Sequence, residues 1–341
     1  MAQVATLAGE DELFVSAFER VYQAELDAGR VLGAARAAFW LGFRAMTAGE
    51  AGRAGAWFGR SQRLVDAVEG DCAERGYLLL PVAFRQVMSG EFDKGAETAR
   101  RAIEIGQRVG SRDVVALGQN LVGRVLLRQG QLEAGFLLMD ESMLAVTRGE
   151  LSPFMTGVLY CGVIATCHRV FALERAREWT AVLTAWCEAQ PELVSFRGQC
   201  QVHRAELLQL AGAWQEALEQ VERATSQGER EALADAWYQQ GEILRLRGEF
   251  SAAEQAYQRA SQSGREPQPG LALLRHAQGQ VDMARSALRR LLGELIERRA
   301  GRAARSLECR LSARGGRASV PGAAGRRRDG ESPEAAGSVV R

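Results

Sequence analysis

Apolar and small residues recur at helical spacing in the stretch AWYQQGEILRLRGEFSAAEQAYQRA, which covers residues 236–260. Gly248 divides this stretch, with a small residue seven positions before it at Gly241 and another five positions after it at Ala253. Tyr257 supplies a large apolar group nine positions after Gly248. Apolar positions that recur every three to four residues indicate amphipathic helices, and a glycine between them favours a helix end. The pattern therefore predicts a helical hairpin that turns at Gly248.

The same pattern recurs along the chain when this glycine is taken as an anchor. The anchors are separated by 41, 40, 41, 41, 36 and 31 residues, and one of them is a phenylalanine. They are Gly49, Gly90, Gly130, Phe171, Gly212, Gly248 and Gly279. A repeated period of this length is typical of helical repeat proteins. The sequence thus predicts about seven helical hairpins.

Two positions in each predicted hairpin carry small side chains. Five residues after the anchors stand Ala54, Gly95, Gly135, Ala176, Ala217, Ala253 and Ala284. Seven residues before the anchors stand Gly42, Ala83, Gly123, Ile164, Ala205, Gly241 and Ala272, of which only the isoleucine is large. Small side chains let two helix backbones approach closely, while larger neighbours fill the grooves. We therefore expect the two helices of each hairpin to cross at these positions.

A single hairpin leaves its apolar faces exposed, so neighbouring hairpins must stack to bury a continuous core. The sequence therefore predicts an all-α solenoid over residues 10–298, with an additional helix near Asp11 to Ala28 before the first hairpin.

The repeat pattern carries a family resemblance. WYQQGEILRLRGEFSAAEQAYQRA resembles a tetratricopeptide repeat, although Gln240 stands where that repeat usually has a leucine-like residue. The spacing of 40 or 41 residues between the earlier anchors is longer than the usual ~34 residues. The resemblance implies a tetratricopeptide-like α-solenoid with degenerate or lengthened repeats.

A second resemblance is narrower. EWTAVLTAWCEAQPELVSFRGQCQVHRAELLQLAGAW (178–214) and GREPQPGLALLRHAQGQVDMA (264–284) resemble the helical-repeat region of large LuxR-family transcriptional regulators. That resemblance implies a role in transcription regulation, with a helix-turn-helix domain after the repeats. Nothing after Leu295 resembles the LuxR-type pattern LTxRExEVLxLxAxGxxNxxIA, so we expect that DNA-binding domain to be missing.

Residues 299–341 differ in composition from the repeats. They are rich in Arg, Gly and Ala and have few large apolar residues, which predicts a disordered tail. Nine arginines against four acidic residues make residues 301–341 basic. The tail is either a natural basic arm that touches nucleic acid weakly through Gly325 to Arg328, or a frame-shifted or truncated continuation of the repeats. The second interpretation accounts better for its composition.

Composition excludes several other functions. The chain of 341 residues has a net charge of +1, so its tail of +5 leaves about −4 for the remainder, which predicts no nucleic-acid binding by the repeats. Its single lysine, Lys94, stands in GEFDKGAE, which excludes a phosphate-binding P-loop. No apolar run is long enough for a membrane span, and no signal peptide is recognisable, so we expect a cytoplasmic protein without membrane contact.

Cysteine and histidine residues cluster between Cys161 and His203, where Cys167 precedes His168 and Cys200 stands three residues before His203. Zinc needs such ligands to converge, and an i, i+3 pair on one helix face could supply two of them. However, no C-x-x-C pair is present, and buried cysteine is common in helical cores. We therefore expect no metal, no cofactor and no catalytic residue.

The remaining candidate function is binding of a protein or peptide. First helices of stacked hairpins usually line a concave groove, and polar and aromatic residues recur at the corresponding positions. The candidate partner-binding residues are Tyr77, Phe84, Asn120, Arg124, His168, Glu206, Tyr238, Glu242 and Arg245. For any single residue, a contact to a neighbouring repeat is the simpler interpretation. The predicted function is a non-enzymatic interaction or sensing scaffold; the alternative is a regulator that contacts DNA through its basic tail.

Overall fold

A computed structural model describes residues 11–189, 197–226 and 230–293 of the chain, and within them every regular element is an α-helix. The helices are α1 (Asp11–Asp27), α2 (Val31–Thr47), α3 (Ala51–Asp66), α4 (Ala73–Met88), α5 (Phe92–Val109), α6 (Arg112–Arg128), α7 (Leu132–Thr147), α8 (Pro153–Arg169), α9 (Leu173–Glu188), α10 (Arg197–Leu210), α11 (Trp214–Ser226), α12 (Arg230–Leu246), α13 (Phe250–Gln262) and α14 (Gly270–Ala277). Residues 281–293 are also helical.

After α1, the helices pair in sequence order into seven hairpins across the described residues. Hairpins 1 to 6 are α2–α3, α4–α5, α6–α7, α8–α9, α10–α11 and α12–α13. Hairpin 7 consists of α14 and residues 281–293, joined by the turn at Gly279. The fold is therefore a tetratricopeptide-like α-solenoid, as the sequence predicts.

The turns within the hairpins form at the predicted anchors. All seven anchors have a positive φ angle, from 58° at Phe171 to 81° at Gly130. In each hairpin the N–H of the residue after the anchor donates to the carbonyl four residues before the anchor, at 2.8 to 2.9 Å, as from Glu249 to Leu244. This bond satisfies a carbonyl that the end of the first helix would leave free. The anchor pattern in the sequence is thus a pattern of helix ends.

The small residues predicted at the helix crossings are buried there. A Cβ atom added to Gly123 would lie 2.8 Å from the carbonyl oxygen of Gly135 in the paired helix. One added to Gly241 would lie 2.7 Å from the ring of Tyr257. Ile164, the one large residue at these positions, is fully buried. The helix crossings therefore depend on glycines without side chains in some hairpins. In the fourth hairpin the crossing instead accommodates the large side chain of Ile164.

The core has different compositions along the chain. Near the N-terminus it contains large rings, here called the aromatic core: Phe14, Phe18, Phe39, Trp40 and Tyr77. Across α10, α11 and α12 it is made mainly of small side chains, here called the alanine core: Val202, Ala205, Ala217, Val221, Ala224, Ala236 and Ile243. Large rings therefore contribute more to the core near the N-terminus than across α10, α11 and α12.

The described residues lie in one compact unit, Met1–Glu294. The predicted disordered tail, residues 299–341, lies outside the described residues. In the part of the chain that is described, no helix combines the length and the apolar character needed to cross a membrane.

Candidate functional site

The first helices of neighbouring hairpins pack side by side in the order α2, α4, α6, α8, α10, α12 and α14. We call the surface they form the first-helix face. The predicted partner-binding residues all lie on these helices, and contacts between adjacent helices bring most of them into three groups.

Tyr77 lies outside these groups. Its ring packs on Phe39 at 5.2 Å between centroids, and its hydroxyl donates to Asp113 Oδ2 at 3.0 Å. Burial and the Asp113 carboxylate raise the pKa of Tyr77. Asp113 also accepts hydrogen bonds from the backbone N–H and the hydroxyl of Ser152. Tyr77 thus connects α4 to α6 within the core.

The first group surrounds Arg124 on α6. Its guanidinium lies 5.7 Å from the ring centroid of Phe84 on α4. Burial lowers the pKa of Arg124, and the charges of Arg169 and Arg128 lower it further, to about 10. We call Arg124, Arg128 and Arg169 the arginine cluster. Among the described residues, no carboxylate forms an ion pair with any of the three arginines.

Asn120 lies one turn before Arg124 on α6. Its side chain is only 5% exposed, and its amide Nδ2 has no hydrogen-bond partner. Gly162 on α8 approaches it: a Cβ atom on this glycine would lie 3.6 Å from Asn120 Oδ1. A buried donor without a partner costs about 1–3 kcal/mol. The first group therefore combines excess positive charge with an unused donor.

The second group joins α8 to α10. His203 Nδ1 lies 3.2 Å from Glu206 Oε2, and His168 Nε2 lies 3.6 Å from the same oxygen. The two imidazole rings are stacked, 6.2 Å apart and tilted by 17°. Burial lowers the pKa of His203, but Cys161 and Glu206 outweigh burial and raise it to about 10. The pKa of His168 is lowered by burial. We call His168, His203 and Glu206 the histidine–glutamate cluster.

The third group contains Tyr238, Glu242 and Arg245 on α12. Glu242 accepts hydrogen bonds from Arg245 Nη2 at 2.7 Å and from the Tyr257 hydroxyl at 2.6 Å. The Tyr238 hydroxyl accepts the backbone N–H of Gly270 at 3.3 Å. Tyr238 thus connects hairpin 6 to hairpin 7, whereas Glu242 connects α12 to α13 within hairpin 6.

Several residues of these groups were not among the candidates chosen from the sequence. Arg128 and Arg169 each stand two residues before the anchor of their own hairpin. The repeat frame could therefore have revealed that they occupy equivalent positions on adjacent first helices. His203 and Glu206 have i, i+3 spacing on one helix face. The sequence spacing does not reveal the hydrogen bonds of Asp113 and Tyr257, because their partners Tyr77 and Glu242 lie on other helices.

A cleft of about 830 Å³ lies between the second helices α7 and α9. Arg175 forms an ion pair with Asp140 in its wall and lies over the ring of Phe136 at 4.5 Å. Because these charges are paired, the cleft is a weaker candidate than the arginine cluster.

Comparisons with known proteins support the fold. The chain is similar to a Rap protein crystallised with competence and sporulation factor, with a TM-score of 0.54, 16% identity, and coverage of 81% of each chain. It is also similar to NprR in complex with its cognate peptide NprX, with a TM-score of 0.51, 14% identity, and coverage of 74% of this chain and 75% of the other. No protein-family model matches the chain. No curated protein matches it either. The structural similarity shows the tetratricopeptide-like fold.

Proposed function

We propose that this chain is a non-enzymatic scaffold whose first-helix face binds an acidic peptide. The observation that carries the proposal is the arginine cluster, which has no carboxylate partner among the described residues and lies beside the unused Asn120 amide. Burial lowers the pKa of Arg124 and of Arg169, and the neighbouring arginine charges lower both further, so a negative ligand would relieve repulsion at this site.

The chemistry of the first group fits a peptide segment. An arginine guanidinium binds a carboxylate through two parallel hydrogen bonds, so Arg124 is suited to an acidic side chain or a C-terminal carboxylate. The ring of Phe84, which lies beside the Arg124 guanidinium and is 36% exposed, offers an apolar contact. The ligand would therefore carry a carboxylate next to an apolar side chain.

The similar structures support a peptide as the ligand class. The Rap protein and NprR have a similar fold; the Rap protein is in complex with competence and sporulation factor, and NprR is in complex with its cognate peptide NprX. The LuxR-family resemblance of residues 178–214 and 264–284 further supports a role as the sensing module of a transcriptional regulator. In this proposal the repeats recognise the ligand, and DNA is contacted elsewhere.

A peptide selection tests the proposal. The full chain is used to select binders from a library of short random peptides, and affinities are measured by fluorescence polarisation. We expect the selected peptides to be enriched in carboxylates. Replacing Arg124→Gln should weaken binding about tenfold or more, because hydrogen bonds to charged groups contribute about 1.5–3 kcal/mol.

The matched control is Arg101→Gln, which removes an exposed arginine from the second helix α5 and should leave peptide affinity unchanged. Equal binding by the Arg124 variant would contradict the proposed site. Salt-sensitive DNA binding that disappears when residues 300–341 are deleted would instead support the alternative function, a regulator that acts through its basic tail.

A further inference from the structure

The histidine–glutamate cluster has an arrangement that its hydrogen bonds do not explain. His203 is 3% exposed and His168 is half-buried, and the Nε2 atom of each has no hydrogen-bond partner. The 3.6 Å between His168 Nε2 and Glu206 Oε2 is too long for a hydrogen bond. Two imidazoles and a carboxylate are thus brought together, and the only hydrogen bond among the three side chains joins His203 Nδ1 to Glu206 Oε2.

The two distances from Glu206 to the histidines are close to those between ligands of one metal ion. The three potential ligand atoms lie within 4.8 Å of one another. Zinc binds histidine nitrogen and carboxylate oxygen at about 2.0–2.2 Å, which places tetrahedral ligand atoms ~3.3 Å apart. The contacts of 3.2 Å and 3.6 Å that Glu206 Oε2 makes with the two histidines fall on either side of this value.

We propose that His168, His203 and Glu206 bind a divalent transition-metal ion of the zinc type, with the fourth coordination position open. Glu206 Oε2 and the nitrogens facing it, His168 Nε2 and His203 Nδ1, are the ligands. The Cys161 thiol interacts with His203 beside them and can hold the orientation of that ring.

The helices explain how these ligands converge. His203 and Glu206 share one face of α10, while His168 comes from the last turn of α8 in the preceding hairpin. A bound ion would therefore connect hairpin 4 to hairpin 5. His168 and Glu206 remain 17% and 31% exposed, which leaves a route for the ion and for a fourth ligand. The metal site shares no residue with the arginine cluster, although Arg169 follows His168 on α8, and the inference does not rest on the proposed peptide function.

Metal titration of the full chain tests the inference. The protein is first treated with a chelator, and zinc is then titrated in competition with a chromophoric indicator. Cobalt(II) is added in a parallel experiment, because its visible absorption reports the coordination geometry. We expect one equivalent of zinc, tetrahedral cobalt bands, and a higher unfolding temperature with zinc than without it.

Substitutions identify the ligands. His168→Gln and Glu206→Gln lie at the exposed side of the cluster and should each weaken zinc binding by at least about tenfold. The third histidine of the chain, His276 on α14, provides the control: His276→Gln should bind zinc as the unaltered protein does. A circular dichroism spectrum unchanged from the parent protein shows that each variant folds.

Two results would overturn the inference. If zinc binds equally well to the His168 and Glu206 variants, the ion is held elsewhere, for example by cysteines. If the folded parent protein binds no zinc or cobalt, the cluster is a hydrogen-bonded His203–Glu206 pair only.

Discussion

At the scale of single residues, Phe171 shows most clearly a mismatch between a residue type and its backbone conformation. It occupies an anchor position with φ of 58°, where the other six anchors are glycine, and its side chain is 84% exposed. A left-handed conformation costs a residue with a Cβ atom roughly 1–2 kcal/mol. The exposed ring recovers little of this by packing.

Phe171→Gly should therefore stabilise the protein by about 1 kcal/mol, after allowance for the greater chain entropy of glycine in the unfolded state. Thermal and urea unfolding would measure the change. The reciprocal control is Gly130→Ala, which places a Cβ atom at φ of 81° and should destabilise the protein by a similar amount. A stability loss on replacing Phe171 by glycine would show that the exposed ring has an unrecognised contact.

The residue scale also shows how far the sequence could predict the candidate site. The repeat frame placed Phe84, Asn120 and Arg124 on first helices, because a frame relates equivalent positions on successive units. It could not show that the Tyr238 hydroxyl is occupied by Gly270 of hairpin 7 or that Glu242 is occupied by Tyr257 on α13, since these contacts depend on how the helices are rotated against each other. Nor did it predict that Glu206 would meet both histidines.

At the scale of elements, close helix crossings depend on residues without side chains. α6 and α7 cross where Gly123 meets Gly135, so a methyl group added there would meet a backbone carbonyl that cannot rotate away. The periodic small residues predicted this crossing correctly, because the absence of a side chain is visible in the sequence.

Gly123→Ala should destabilise the protein by about 1–3 kcal/mol, as expected when a close-packed interior is overfilled. Gly52→Ala on α3 is the matched control: nothing lies within 4 Å of its added Cβ atom, so the better helix propensity of alanine should stabilise the protein slightly. Urea unfolding of both variants measures the difference. Similar effects of the two substitutions would show that α6 and α7 can separate without loss.

At the scale of the whole molecule, stability is distributed unevenly along the hairpins. Burial of a large hydrophobic side chain contributes about 1.5–3 kcal/mol, and alanine contributes much less. The aromatic core therefore holds α2 and α4 more strongly than the alanine core holds α10, α11 and α12. Because each hairpin contacts mainly its neighbours, local opening does not require global unfolding.

Hydrogen exchange followed by mass spectrometry should reveal this gradient. We expect amides of α10 and α11 to exchange faster than those of α2 and α4 under native conditions, because their opening exposes less hydrophobic surface. Ile243→Ala, within the alanine core, should increase exchange in α10 and α11 while leaving α2 unchanged. Uniform exchange throughout the described helices would indicate a single cooperative unit.

The positive φ angle of Phe171 also bears on how such repeats are recognised. Six hairpins turn at a glycine, whereas the fourth makes the same turn at a phenylalanine. A search that required glycine at the turn would therefore find six of the seven hairpins, although all seven share the same backbone conformation there.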